Sequence, residues 1–164
     1  PERLKMAILK LITACDLPIS LVEHTEFREL FRLLKSDLRS DEIPGHKGMV
    51  ELINREFDAE KGAMKIRLQK APGKISLTID CWSSKAMQSY IAITAHYIIT
   101  QTKGDAWELE EELFGFNEIE GQHTGHNLSD YIMKQLQEFG IHHKLGWITT
   151  DNATNNDTML STLA

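Results

Sequence analysis

The apolar positions of the first 70 residues recur at the spacing of helices. Leu4, Ile8, Leu11 and Cys15 fall three or four apart, and Pro18 in "CDLPIS" cannot continue that helix. Phe27, Leu30, Phe31, Leu34 and Leu38 form a second stripe. "SDEIPGHKG" reads as a loop, and Ile53, Phe57, Met64 and Leu68 mark a third helix. These stripes are expected to be core. The pattern breaks at "KAPGK", residues 70–74. An α-helical segment over residues 1–72 and a second domain over 73–164 are therefore expected.

After the break the period falls to two. Ile75, Leu77 and Ile79 alternate with Ser76 and Thr78, which predicts a strand over 75–80. "SYIAITAHYII" (89–99) is rich in β-branched and aromatic residues and predicts a second strand. "WELEEELFGF" (107–116) predicts a third. Its Trp107, Leu109 and Leu113 should face the core, with Glu108, Glu110 and Glu112 in solvent. Leu128, Ile132, Leu136 and Phe139 then form a helical stripe, and Gly140 stands where a left-handed cap belongs. "KLGWITTD" (144–151) predicts a fourth strand. "TNND" has the form of a capping box, with Thr154 and Asp157 opening a last helix.

Three strands, a helix and a fourth strand is the order that opens an RNase-H-like domain. An antiparallel meander is followed by a crossover helix and a fourth strand parallel to the first. The right-handed crossover brings the ends of the first and fourth strands together. Both of those strands run into an acid, Asp80 and Asp151. Two such carboxylates suit Mg²⁺ or Mn²⁺, hard ions that take oxygen ligands. Spacing alone leaves a rival explanation, a buried acid accepting backbone hydrogen bonds at a turn. A two-ion site also needs a third acid, and Asp157 is already explained by its place in the first turn of a helix.

Charge sharpens the division. Residues 1–74 carry 14 Lys/Arg against 12 Asp/Glu, whereas residues 75–164 carry 4 against 12. The acidic half does not suit a sequence-independent DNA clamp. Backbone contacts to DNA should come from the first half, with Lys61, Lys65, Arg67, Lys70 and Lys74 as candidates, unless these are simply a solvated helix face. No apolar run approaches the roughly 20 residues that span a membrane. Two cysteines, Cys15 and Cys81, make no disulfide framework. Alternation turns Cys81 away from Asp80 and Trp82 toward it. His123 and His126 in "HTGH" would need two further ligands to hold zinc. Asn152, Asn155 and Asn156 either orient the acidic loop or reflect turn propensity.

The blocks "LTIDCWSS", "YIAITAHYI", "GFNEIEGQHTGHNL" and "ITTDNATNN" resemble, in order and spacing, the catalytic domain of hAT-superfamily transposases. "DLPISLVEHTEFREL" is similar to the helical segment before that domain. The resemblance spans roughly residues 10 to 160 and is most specific in D-C-W-S-S and T-T-D-N-A-T-N-N. It implies metal-dependent phosphoryl transfer on DNA, with Asp80 and Asp151 as the first two acids of a DDE triad. Trp82 becomes a candidate DNA contact. The third acid of the family is a glutamate beyond a helical insertion and is expected outside this chain, which alone should be inactive. A nuclear, DNA-bound, homo-oligomeric full-length protein with no membrane association is implied. The alternative is a domesticated, non-catalytic DNA-binding or protein-interaction module. An RNase-H-like nuclease of another kind would want an acid in the crossover helix, where only Asp130 is near.

Overall fold

The computed structural model describes residues 2–85, 88–100, 106–120, 124–151 and 154–163. The elements are α1 (Glu2–Ala14), α2 (Thr25–Leu34), α3 (His46–Lys70), β1 (Ile75–Ser83), β2 (Ser89–Ile99), β3 (Glu108–Glu118), α4 (Gly125–Phe139), β4 (Leu145–Thr150) and α5 (Thr154–Leu163). They fall into two compact units, residues 1–62 and 63–164, divided within α3.

The first unit closes around Ile8, Leu9, Ile12, Val22, Ile43, Met49 and Leu52. The buried stripe of α1 is thus Ile8–Leu9–Ile12. Leu11 and Cys15, expected inside, are exposed. The helix ends before Pro18 acts. Asp16 takes a left-handed φ of 50°, and Leu17 N–H donates to the Ile12 carbonyl at 2.9 Å, the wrap of a Schellman-type end. In α2 only the Phe27–Phe31 edge, with rings 5.0 Å apart, packs inward. Leu30 and Leu34 are exposed. Arg28 donates to the Val22 and Ser40 carbonyls at 3.0 and 2.6 Å, tying the flanking turns to α2.

The second unit is a four-stranded sheet in the order β3-β2-β1-β4. β1 and β2, and β2 and β3, are antiparallel, whereas β1 and β4 are parallel. This is the meander, crossover and parallel fourth strand of a partial RNase-H-like fold. One face buries Ile75, Leu77 and Ile79 of β1 and Ile91, Ile93 and Ala95 of β2 against Leu128, Ile132, Leu136 and Phe139 of α4. Each fully buried aliphatic side chain contributes about 1.5–3 kcal/mol.

Thr124 opens α4 by accepting from Asn127 N–H at 3.3 Å. Gly140 ends it at φ 70°. A Cβ on Gly140 would also lie 2.8 Å from Gln69 Nε2, which donates to the Phe139 carbonyl at 2.8 Å. Gly140→Ala should therefore cost about 1–2 kcal/mol from the left-handed backbone alone, with a further loss if Gln69 is displaced. A lower midpoint in urea unfolding checks it; an unchanged midpoint would mean that neither constraint acts. Lys144 caps the last turn of α3, donating to the Gln69 and Ala71 carbonyls.

The third strand reverses its expected facing. Leu109 and Leu113 are exposed, as is Trp107 just before the strand. Glu112 pairs with Ala95, a buried position. It accepts from Arg67 Nε at 2.9 Å and from the Tyr97 hydroxyl at 2.8 Å. The cause is a register irregularity between Ile93 and Thr94, opposite Phe114. It leaves Phe114 on the core side, so the alternate residues behind it are glutamates. The capping-box residue Thr154 has its side chain outside the described residues.

Candidate metal and nucleic-acid site

Parallel pairing brings the two acids together, although β1 runs on past Asp80 to Ser83, so Asp80 lies within its strand and not at the end expected of it, whereas Asp151 directly follows β4. Thr78 is level with Thr149 and Ile79 with Thr150. The next residue on each strand is Asp80 and Asp151. Adjacent strands lie about 4.8 Å apart, so the two backbones present their acids side by side. Both residues are exposed, unlike the buried turn acid that was the rival explanation. Asp80 projects from the face opposite Ile75, Leu77 and Ile79, because those three alternate into the core.

Cys81 lies near both acids. Its thiol is partly buried against the core. Burial first, and then the negative charges of Asp151 and Asp80, push it up to about 11. One sulfur therefore feels carboxylates from both strands. It also stays protonated at neutral pH and is a poor nucleophile.

Asp151 is held from α5. Asn156 donates its side-chain amide to Asp151 Oδ1 at 2.6 Å and to the Asp151 carbonyl at 2.9 Å. Asn156 is 7% exposed, one of two buried polar residues among those described. Its neighbours in the motif are Asn152, which lies outside the described residues, and Asn155, whose side chain does.

Trp82 shares the Asp80 face and is 41% exposed. It stacks on its cross-strand partner Tyr90, with centroids 5.9 Å apart and planes 25° apart. Phe116 joins the cluster at 5.7 Å from Trp82 and 6.2 Å from Tyr90. Register puts Phe116 level with the first acid but two strands away, since Asp80 pairs with Ala92 and Ala92 with Phe116. Tyr90 and Phe116 were not singled out from sequence. Their approach depends on strand register, which periodicity alone does not reveal.

The basic candidates divide. Lys65 and Lys70 are exposed on α3. Lys74 is exposed and donates to the His143 carbonyl at 3.2 Å. Arg67 is half-buried and engaged by Glu112.

Asp130 and Asp157 were the other acids weighed. Asp130 is exposed on α4, by a surface pocket it shares with Glu118, Glu120, Tyr131 and Lys134. Asp157 is exposed in the first turn of α5. Among the described residues no group of three His, Cys, Asp or Glu side chains is arranged to hold a metal ion. His123 lies outside the described residues, and His126 faces the Thr162 hydroxyl at 3.3 Å. Among the described residues no helix is long and apolar enough to cross a membrane.

Comparison with known proteins bears on the family of the chain. The family model of the ZBED1 RNase-like domain matches residues 78–164, just over half of the chain. A protein named transcriptional regulator tpeD, from Talaromyces stipitatus, is 31% identical over 96% of this chain and 18% of its own length. A maize (Zea mays) protein named AC transposase is 29% identical over 87% of this chain and 17% of its own. The BED-domain zinc finger protein DAYSLEEPER of Arabidopsis thaliana is 26% identical over 94% of this chain and 21% of its own. The chain thus spans about a fifth of the length of these curated relatives. No solved structure shows a significant match.

Proposed function

The chain belongs to the ZBED1 RNase-like domain family and is hAT-transposase-like, and we propose that it supplies the first part of a metal-dependent DNA-transposing domain in which Asp80 and Asp151 hold Mg²⁺ or Mn²⁺. The observation that carries this reading is the parallel register that sets the two acids side by side, Asp80 within β1 and Asp151 just past β4. The donors fit the ion. Both are exposed carboxylates, and the sulfur beside them belongs to a partly buried, protonated thiol. When bound, such ions activate an attacking oxygen and stabilise the leaving oxygen at phosphorus.

The rest falls to the chain's own residues. The two adjacent strands fix the carboxylates where a phosphate would approach. Trp82, Tyr90 and Phe116 offer stacking surfaces to bases beside that phosphate, a contact worth about 1–3 kcal/mol per base. Lys65, Lys70 and Lys74 offer charge to the DNA backbone. Arg67 acts through Glu112 and the fold rather than through DNA. A third acid would come from elsewhere in a longer protein, nuclear and homo-oligomeric like the transposases the chain resembles.

A second reading has a specific ground. One relative carries the name of a transcriptional regulator, so a DNA-binding descendant without strand scission fits the same fold. Incubating the full-length protein with supercoiled plasmid and Mn²⁺ separates the two. Nicked product that disappears with chelator and in Asp151→Asn is expected. Plasmid binding without nicking, in wild type and variant alike, would favour the non-catalytic reading.

A further inference from the structure

Most carboxylates at a strand end are free to turn. Asp151 is not, because both contacts from Asn156 end on it, one on the carboxylate and one on the backbone carbonyl. Asn156 lies in the early part of α5, with its side chain buried at a point where Met159 of the same helix enters the core. A buried amide is tolerated only when hydrogen-bonded. Here its partner is the acid next to Asp80. Helix capping does not account for this contact, because the donor is the Asn156 side-chain amide and not a backbone N–H of the first turn.

We infer that Asn156 is a positioning residue. It fixes the rotamer of Asp151 so that this carboxylate and Asp80 present their oxygens to one divalent ion. The inference rests on the reading of the pair as an ion site. The rotamer order is supplied by folding, so ion binding does not have to supply it. Outer-shell partners of metal-binding carboxylates act in this way, and losing one typically lowers metal affinity about 10- to 100-fold.

The test uses the full-length protein and Mn²⁺ alone. Asn156→Ala removes the amide. Asn156→Ser keeps a polar group whose hydroxyl stops short of Asp151, and serves if the alanine variant fails to fold. Each is examined by calorimetric titration, by melting without metal, and by paramagnetic broadening of backbone amide signals. A fall in Mn²⁺ affinity of about tenfold or more is expected. Broadening should appear around both acids only at a correspondingly higher Mn²⁺ concentration, while amide signals away from α5 stay at their wild-type positions, a pattern that a merely structural defect would not produce. Affinity and broadening equal to wild type in the folded variants would overturn the role of Asn156. A wild-type protein that binds no Mn²⁺ at these two acids would instead overturn the ion-site reading, and the inference with it.

Discussion

Asp80→Asn and Asp151→Asn should each weaken Mn²⁺ binding by about two orders of magnitude, at or beyond the upper end of what losing an outer-shell partner costs. Without metal, Asp80→Asn should be no less stable than wild type. Two like charges on adjacent strands repel by about 1 kcal/mol at roughly 5 Å in water. Asp80→Asn removes that repulsion, and it sits at an exposed position where no packing is lost. Lower ion affinity with equal or higher melting temperature marks a site kept for function at the expense of stability. Calorimetry and thermal melting of the two variants read both quantities. A variant that lost stability and kept its ion affinity would show the acids to be structural.

Glu112→Ala should destabilise the sheet unit by about 2–3 kcal/mol, and Leu113→Ala by less than about 1 kcal/mol. Removing the Glu112 carboxylate strips charged hydrogen bonds from Arg67 and Tyr97. Leu113 is exposed and gives up little. The same cluster predicts an alkaline limit. Burial, and then Glu112, push the Tyr97 hydroxyl up to about 12, against about 10 in an unfolded chain. Folding therefore keeps a proton that the unfolded chain releases. The stability tied to that proton is complete below pH 10 and is lost as the pH rises toward 12. Tyr131, also pushed up to about 12 by burial and then by Glu138, adds to the slope. Tyr97→Phe should flatten the fall between pH 10 and 12 without abolishing it. Denaturant midpoints across that range decide it.

What could be read from the sequence follows from what periodicity encodes. β1 and β2 were legible because Ile75, Leu77 and Ile79, and Ile91 and Ile93, alternate without interruption. The crossover handedness then carried Asp80 and Asp151 to neighbouring strands, although β1 does not end at Asp80 but runs on to Ser83. The end of α4 was legible because Gly140 is one of few residues at ease with a positive φ. The facing of β3 was not, since one irregularity opposite Phe114 inverts every residue behind it, and Leu109 and Leu113 look the same on either side of a sheet. The stripe of α1 was misplaced by one position because Leu9 and Leu11 are equally apolar in sequence. Tyr90 and Phe116 come beside Trp82 only through cross-strand register. Asn156 was visible as one of several asparagines, but its contact with Asp151 depends on how α5 returns from β4.

The most direct measurement is the anomalous scattering of Mn²⁺ in a crystal of the full-length protein. The account predicts a peak bound by carboxylate oxygens of both Asp80 and Asp151, at about 2.1 Å as for a hard octahedral cation. Peaks only elsewhere, or carboxylates turned apart with no ion between them, would contradict it.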